Sequence, residues 1–361
     1  MSRSSFSAQR LAALIARVFP TSNATYANKK FVVWLDADPE VLNAGPQPAG
    51  ELGELGQEGS LSWQGVDRPP QAGPGEVRIR VHAAAVNPTD VMLRTGAHAV
   101  RMTGRRPPFV PGMDAAGVID QLGPGSDGRL AAGQRVVAMV LFTGPHGGAY
   151  AEQVVVPAAS VVPAPESADF PAASTLLMNA MTARLALDAL AVPRGGTVAV
   201  TGAAGAVGGY AVELAKADGL TVIADAAGPD VEVVRGFGAD HVVERGADVA
   251  ARIRALVPGG VPGLVDGSLQ TTGAVPAVAD GGAMAELRGW SGPAERGVRV
   301  RPVMVSDGIA DTADLDRLRR QAEDGTLTLR VAEVLPAEEA AKAHRMLEAG
   351  GLRGRLVLDF S

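Results

Sequence analysis

The sequence predicts an α/β protein in which a β-barrel-type domain is followed by a doubly wound domain with a parallel sheet. Residues 76–157 contain short β segments separated by glycine turns, whereas helical and strand patterns alternate from residue 169 onward. An apolar strand at residues 197–201 also runs into a turn of glycine and alanine and then into a helical pattern. The 361 residues are enough for two separate hydrophobic cores.

The front elements are predicted from the alternation of apolar and polar residues that is typical of half-buried strands. Residues 44–75 are rich in Gly, Pro and Glu and are interpreted as loops. We predict strands at residues 76–84, 110–122, 135–141 and 149–157, with an edge strand at 60–66.

The second half is predicted from apolar strand runs that alternate with segments of helical spacing. The predicted helices cover residues 172–190, 209–216, 312–323 and 336–349. The predicted strands cover residues 197–201, 221–224, 241–243, 263–265, 283–287 and 298–305, and a closing strand covers 355–360. We expect the chain from about residue 326 onward to return to the front domain.

The turn after residue 201 is the strongest functional signal. Strand, small-residue turn, helix and strand within about 30 residues form the unit that binds dinucleotides. Residues without bulk let the peptide N–H groups at the helix start approach a pyrophosphate, whose charge the helix dipole favours. The candidate contacts follow the pattern A-x-G-x-x-G and are Ala203, Ala204, Gly205, Ala206, Val207 and Gly208.

Composition excludes several classes of function. The net charge is −6 and no basic block is present, so we do not expect a nucleic-acid partner. No uninterrupted apolar stretch approaches the ~20 residues of a membrane span, so no membrane partner is expected either. The absence of cysteine excludes disulfides, thiolate metal sites and a cysteine nucleophile. Only four of the 33 basic residues are lysine, which favours a GC-rich bacterial source, and a cytoplasmic location is expected.

The first 30 residues differ from the rest, because they carry five basic residues and no acid occurs before Asp36. The segment LAALIARVF could form a short amphipathic helix, but it is too short and too charged for a secretory signal. We interpret residues 1–30 as a loosely docked N-terminal extension. A transit peptide fits the composition but not the bacterial character of the chain.

Several phrases in the same order resemble the medium-chain dehydrogenase/reductase superfamily, and its zinc-independent quinone oxidoreductase (zeta-crystallin-like) branch in particular. Besides GAAGAVG they are AAVNPTDVMLRTG, PGMDAAGVI, GAYAEQVVVPA, MTARLAL and GLRGRLVL, and together they span about residues 74–361. The resemblance implies a GroES-like catalytic domain at 31–167 with 326–361, a Rossmann domain at 168–325, and a homodimer. It does not extend to residues 1–60.

The resemblance also bears on the metal. Zinc-dependent members use a Cys, a His-Glu pair and a later Cys, whereas this chain has Asn87 at the first ligand position and Met113-Asp114 in place of His-Glu. Zinc sites are built from Cys, His and carboxylate ligands in close arrays, and none can be assembled from the matching positions. We therefore expect no metal.

Without a metal, the implied chemistry is hydride delivery from a nicotinamide to a small-molecule acceptor, which would be a quinone, an enone or an enoyl compound. A second interpretation stays open, namely a nucleotide-binding protein without turnover that serves as a redox sensor or structural partner. Cofactor oxidation with a panel of acceptors would separate the two.

Three residues are candidates for catalysis. The resemblance implies that Asn87 and Asp90 of the NPxD phrase line the nicotinamide end of the cleft, although Asn-Pro also suits turn formation and capping. His98 stands where many relatives carry a tyrosine. Histidine can donate a proton near neutral pH if its pKa stays near 6.5, or it can be an exposed loop residue.

Cofactor choice depends on two residues that conflict. Asp225 lies at, or one residue before, the end of the second Rossmann strand, where an acid would bind the ribose of NADH and repel a 2′-phosphate. Arg245 matches the position where relatives place a residue near the 2′-phosphate of NADPH, and its alternative role is a solvated charge at a strand end. We favour NADPH, with NADH possible.

The remaining cofactor contacts are implied by the resemblance and by positions after sheet strands. Trp290 could equally be a hydrophobic anchor for its loop. These candidates are Thr182, Ser268, Leu269, Arg288, Gly289, Trp290 and Arg355.

Overall fold

A computed structural model describes residues 30–36, 60–66, 70–102, 109–126, 128–292 and 295–361. The predicted N-terminal extension, except for its last residue, lies outside these ranges, as does its amphipathic helix. No helix in the described ranges is both long enough and apolar enough to cross a membrane.

The strands are numbered in chain order. They are β1 Lys30–Asp36, β2 Ser60–Val66, β3 Glu76–Ala85, β4 Asp114–Leu122, β5 Arg135–Met139, β6 Gln153–Pro157, β7 Val161–Pro163, β8 Thr197–Thr201, β9 Thr221–Ala226, β10 His241–Glu244, β11 Val261–Asp266, β12 Val278–Glu286, β13 Arg299–Pro302, β14 Val331–Pro336 and β15 Arg355–Asp359.

The helices are numbered in the same way. They are α1 Pro88–Arg94, α2 Phe170–Ser174, α3 Leu177–Leu190, α4 Ala206–Ala217, α5 Val231–Gly236, α6 Val249–Leu256, α7 Thr312–Glu323 and α8 Ala340–Ala349.

The front sheet has seven strands in the order β14-β15-β3-β4-β5-β7, with β6 paired to β3. Its pairs are antiparallel except for β14 with β15. Strand β15 lies beside β3, so the end of the chain does return to the front sheet, as predicted. The edge strand predicted at residues 60–66 is also confirmed, and it pairs with β1 in a separate two-stranded sheet.

The second sheet is parallel, with the order β10-β9-β8-β11-β12-β13. The order reverses between β8 and β11, because β9 and β10 extend the sheet on one side and β11 to β13 on the other. This is the doubly wound arrangement that the alternating pattern predicts, and ligands bind beyond the carboxyl ends of the strands at such a reversal.

Several short elements differ from the prediction. The helix predicted at residues 172–190 is two helices, α2 and α3, with the break at Thr175 and Leu176. The helix predicted at 336–349 begins only at Ala340, after a 3₁₀ turn at Ala337–Glu339. The short elements α1, β7 and β14 were not predicted, because three to seven residues carry few periods of a hydrophobic pattern.

One hydrophobic core joins the two sheets. Ala83 and Val137 of the front sheet share a buried cluster with Leu177 of α3 and Val198 of β8. The helix α3 therefore lies between the sheets, and the surfaces of both domains that flank it face a common cleft.

Candidate active site

A cavity of about 450 Å³ lies in the cleft between the two sheets. Most of its wall is apolar and contains Met92, Met113, Phe142 and Met304. The glycine-rich turn and the start of α4 form another part of the same wall. The cavity therefore places a nucleotide-binding turn next to an apolar pocket.

The turn has the geometry that close approach to a ligand requires. A Cβ atom at Gly208 would lie 2.2 Å from the carbonyl oxygen of Gly202, so a side chain there would collide with the backbone. Gly202 itself has φ = +67°. Helix α4 begins at Ala206 with Gly205 as its N-cap, and no side chain caps it. Its first N–H groups are thus available to an anion.

The six predicted turn residues fall into two groups. Gly205, Ala206, Val207 and Gly208 line the cavity. Ala203 and Ala204 do not line it. Instead, the N–H of Ala203 donates to the carboxylate of Asp225 (3.2 Å), and the carbonyl of Ala204 accepts from the guanidinium of Arg330 (3.0 Å). The alanine in place of the first glycine therefore belongs to the support of the turn.

Arg330 supports the turn from outside and was missed in the sequence. Its Nη1 and Nη2 atoms donate to the carbonyl oxygens of Ala204 and Gly205 at 3.0 and 2.7 Å. The guanidinium also lies over the ring of Phe237, 4.6 Å from the centroid. These contacts join residues more than 90 positions apart, so no local pattern could have predicted them.

Asp225, the predicted ribose contact, is hydrogen-bonded to the glycine-rich turn. Strand β9 ends at Ala226, so Asp225 stands one residue early, and its buried Oδ1 accepts from the N–H of Ala203 at 3.2 Å. Burial raises the pKa of this carboxyl group. The side chain holds the turn from behind and does not line the cavity.

Arg245 lies at the same edge of the sheet. Its N–H donates to the carbonyl of Ala226 at 2.9 Å, which places it beside the end of β9. The residue is exposed, and its guanidinium forms no ion pair with any residue in the described ranges. It remains available for a phosphate.

Asn87 and Asp90, the two residues of the NPxD phrase that the resemblance places at the cleft, have no exposed side-chain surface, and neither lines the cavity. Asp90 caps α1 by accepting from the N–H of Asn87 at 2.8 Å and also accepts from the N–H of Gly112 at 2.8 Å. Neighbouring residues of the NPxD phrase, Val86 and Pro88, form the cavity wall instead. Asn87 and Asp90 are scaffold residues behind it.

Asp114, in the substituted His-Glu position, is the centre of a buried polar network. Its Oδ1 accepts from the N–H of Met178 at 2.9 Å, near the start of α3. Its Oδ2 accepts from Nδ2 of Asn87 at 3.0 Å and lies 3.7 Å from the guanidinium of Arg355. Burial raises the pKa of Asp114, and the charge of Arg355 opposes that shift.

Arg355 lines the cavity, but most of its hydrogen bonds point away from it. Its Nη2 donates to the carbonyl oxygen of Val86 at 2.8 Å and to Oδ1 of Asn87 at 2.7 Å. The network thus joins the front domain, α3 and the last strand.

A second buried chain of polar groups contains Tyr150, which donates to Oδ2 of Asp90 at 3.2 Å and lies 3.2 Å from Nε2 of His344. Burial raises the pKa of Asp90 to about 7 and lowers that of His344 to about 3. None of these three side chains lines the cavity, so their role is structural.

His98 does line the cavity, and its ring stacks on Phe142 with the centroids 5.8 Å apart. Burial, followed by the charges of Arg101 and Arg288, lowers the pKa of His98 to about 4. The condition for proton donation, a pKa near 6.5, is therefore not met, and the imidazole is neutral at pH 7.

The other predicted contacts divide between wall and support. Thr182, Leu269 and Arg288 line the cavity, whereas Ser268, Gly289 and Trp290 do not. Trp290 packs against a hydrophobic cluster of the parallel-sheet domain, which agrees with the alternative of a loop anchor.

Asn179 was not predicted as a site residue. It lines the cavity one turn before Thr182 on α3, and its buried Nδ2 has no hydrogen-bond partner among the described residues. A signal was present, because Asn179 is the one polar residue in the run from Leu176 to Met181.

Two protein families match the chain. The alcohol dehydrogenase GroES-like domain matches residues 73–166, and the zinc-binding dehydrogenase matches residues 219–358. A trans-enoyl reductase of Aspergillus terreus is 32% identical over 225 residues, which are 56% of this chain and 73% of that protein. The chain belongs to the medium-chain dehydrogenase/reductase superfamily.

Other members of this superfamily are similar over different lengths. The VAT-1 homolog of Rattus norvegicus, a synaptic vesicle membrane protein, is 36% identical over 203 residues, 55% of this chain and 48% of that protein. The chain thus spans about half the length of the curated relatives that it matches first. The quinone oxidoreductase of Sus scrofa is 27% identical over 300 residues, 78% of this chain and 88% of that protein.

A solved mycobacterial structure complexed with NADPH has a TM-score of 0.71 and 30% identity, and covers 82% of this chain and 95% of that one. The superfamily fold predicted from the sequence is confirmed.

The second family is described as zinc-binding, which raises the question of whether this medium-chain dehydrogenase/reductase has side chains that could hold zinc. Among the residues that the structure describes, no three His, Cys, Asp or Glu side chains are grouped closely enough to hold a metal ion. At the matching positions, Asn87 directs its amide Nδ2 toward Asp114, while Met113 offers a thioether. This donor set does not fit zinc.

Proposed function

We propose that the chain is an NADPH-dependent, zinc-independent reductase of quinones, enones or enoyl compounds. One observation supports this most strongly, which is that a single cavity joins the uncapped start of α4 to a largely apolar pocket. The relatives named quinone oxidoreductase and trans-enoyl reductase are consistent with it.

The described residues fit the cofactor. The N–H groups at the start of α4 would bind the pyrophosphate, with Arg330 fixing the turn. Arg245 would pair with the 2′-phosphate, since Asp225 binds the N–H of Ala203 and does not line the cavity. Thr182 and Leu269 in the cavity wall would contact the nicotinamide end. When bound, NADPH supplies the hydride.

An acceptor that is already conjugated needs a hydrogen-bond donor for the negative charge that develops on its carbonyl oxygen. Asn179 offers such a donor, because its Nδ2 is buried, unpaired among the described residues and part of the cavity wall. The hydride reaches the β-carbon of an enone and a proton reaches the α-carbon. That proton comes from water, since His98 is neutral at pH 7.

The proposal is tested by following NADPH and NADH oxidation with benzoquinone, a cyclic enone and a short enoyl thioester. We expect turnover of at least one acceptor with a preference for NADPH, unchanged by a metal chelator. Asn179→Leu should lower kcat by about 10²–10³-fold, as loss of an oxyanion donor does. Binding of NADPH without turnover of any acceptor would favour the sensor interpretation.

A further inference from the structure

Two arginines enter the cavity from opposite domains. Arg101 lies on the short 3₁₀ helix Ala99–Met102 of the front domain, and Arg288 lies in the loop after β12 of the parallel-sheet domain. Both residues line the cavity and both are exposed, so they lie where it opens to solvent. We call them the arginine pair.

The arginine pair has few partners of its own. Among the described residues, the hydrogen-bond partner of Nη2 of Arg101 is a weak acceptor, Sδ of Met304, at 3.5 Å. The backbone N–H of Arg288 donates to the carboxylate of Glu286 at 2.9 Å. The guanidinium of Arg288 forms no hydrogen bond with a residue that the structure describes. Neither guanidinium has an ion pair with any residue in the described ranges. Guanidinium N–H groups in this state are ready for an anion.

The surroundings strengthen the positive potential. Among the described residues that line the cavity, none is Asp or Glu, although the chain as a whole carries a net charge of −6. Both arginines also lower the pKa of His98, so their charges lie near the same imidazole ring. A concave, apolar-walled site with charges of one sign concentrates ligands of the opposite sign.

The phosphates of the cofactor have other candidate partners. The start of α4 and its supporting Arg330 belong to the pyrophosphate end of the cavity. Arg245 stands at the end of β9, where the 2′-phosphate is expected. The arginine pair instead surrounds His98, which stacks on Phe142 in the apolar part of the cavity. An anion bound between these arginines would therefore belong to the acceptor and not to the cofactor.

We propose that the physiological acceptor is an amphiphilic α,β-unsaturated carbonyl compound that carries a carboxylate, bound between Arg101 and Arg288. Its apolar body occupies the pocket formed by Met92, Met113 and Phe142. The proposal rests on the proposed reductase function, since it names the class of acceptor for the same site. It assigns Arg288 to the acceptor and not to NADPH.

The test compares an aliphatic trans-enal that carries a terminal carboxylate with its methyl ester, using the NADPH-bound protein. We expect the acid to have the higher kcat/KM. Arg101→Ala and Arg288→Ala should each lower the ratio of kcat/KM for the acid to kcat/KM for the ester roughly fivefold. This loss is larger than that of an exposed ion pair and smaller than that of a buried charged hydrogen bond. The kcat/KM for the ester should fall less than that for the acid, and Arg101→Lys should restore part of the ratio.

The matched control is Arg235→Ala, because Arg235 is an exposed arginine on α5 that does not line the cavity. It should leave the ratio unchanged. Raising the salt concentration should reduce the preference for the acid, because screening weakens exposed charge interactions. Equal kcat/KM for acid and ester would overturn the proposal while leaving the reductase function intact. A loss of NADPH affinity in Arg288→Ala with an unchanged ratio would also overturn it.

A binding measurement covers the case in which neither enal is reduced, which would count against the reductase function. Calorimetry with the NADPH-bound protein then compares nonanoate with methyl nonanoate. Tighter binding of nonanoate that is lost in the Arg101→Ala/Arg288→Ala double variant supports the arginine pair as a carboxylate site. Equal binding of the two compounds contradicts it.

Discussion

The two walls of the cleft differ in the sequence separation of the residues that hold them in place. The cofactor wall is a turn in which Gly202 and Gly208 approach each other within seven residues. The front wall depends on a network that joins Asn87 and Asp114 to Arg355, which is 268 residues from Asn87. A short turn with steric limits can be recognised in a sequence, whereas a buried polar network requires the fold.

The difference also separates two kinds of role. Residues of the turn present backbone groups to the cavity, so changing them should affect cofactor binding. Polar residues of the front network bind one another and have almost no exposed surface, so changing them should affect stability. Variants of the two walls should therefore differ in whether they change the Kd of the cofactor or the free energy of unfolding.

Asp114→Asn should have the largest effect, on the free energy of unfolding. Removing one partner of a buried, hydrogen-bonded charge pair typically costs about 3–5 kcal/mol, and here Asn87, Met178 and Arg355 all contact this carboxylate. Urea denaturation measures the change. Protein that remains folded should bind NADPH with nearly the wild-type affinity.

The control for that variant is Asp280→Asn, since Asp280 pairs with Arg296 on the surface and its side chain is 79% exposed. Such a pair contributes about 1 kcal/mol or less. If the two variants lose similar amounts of unfolding free energy, the front network stabilises the protein no more than an ordinary surface ion pair does.

Gly208→Val should act mainly on the cofactor. Its Cβ would meet the carbonyl oxygen of Gly202 at 2.2 Å, so the turn must open and the N–H groups must move. Overpacking of this kind costs about 1–3 kcal/mol, which corresponds to a rise in the Kd of NADPH of up to about 100-fold. Fluorescence titration measures it. Gly236→Ala is the control, because nothing lies within 4 Å of its added Cβ.

Arg245→Ala should produce a smaller and selective effect. The Kd of NADPH should rise about tenfold, the cost of one charge-assisted contact at an exposed position, while the Kd of NADH should stay constant. Titration with both cofactors provides the comparison. Equal changes for the two would remove Arg245 from the 2′-phosphate site.

His98→Phe should have the smallest effect. The pKa of His98 is about 4, so the imidazole is already neutral throughout the range in which the protein would be assayed. We expect kcat for an enone to change by less than about threefold, far below the 10²–10⁴-fold of general acid catalysis. The pH profile of kcat should show no ionisation near 6.5. A large loss, or such an ionisation, would restore His98 as the proton donor.

The parts of this molecule that could be predicted share a local physical cause. Strand β8 and helix α7 match their predicted bounds, because β8 ends at the glycine turn after Thr201 and α7 begins after its N-cap, Asp311. The turn at Gly205–Gly208 was found because only small residues fit there.

The parts that could not be predicted depend on distant contacts. The sequence places Asn87 and Asp90 in a phrase that resembles a cleft motif, yet tertiary packing covers both side chains completely. The low pKa of His98 arises from burial and from Arg101 and Arg288, of which Arg288 is 190 residues away. Arg330 and Asn179 were missed because their roles depend on the fold, which places Arg330 against the glycine-rich turn and Asn179 in the cavity wall.

Direct transfer of hydride from NADPH to a conjugated acceptor can be followed with an isotope. The protein is incubated with an enone and NADPH deuterated at the transferred C4 position, and the product is analysed by mass spectrometry. We expect one deuterium at the β-carbon of the saturated ketone and none at the α-carbon, which takes its proton from water. An unlabelled product, or intact enone beside bound NADPH, would contradict it.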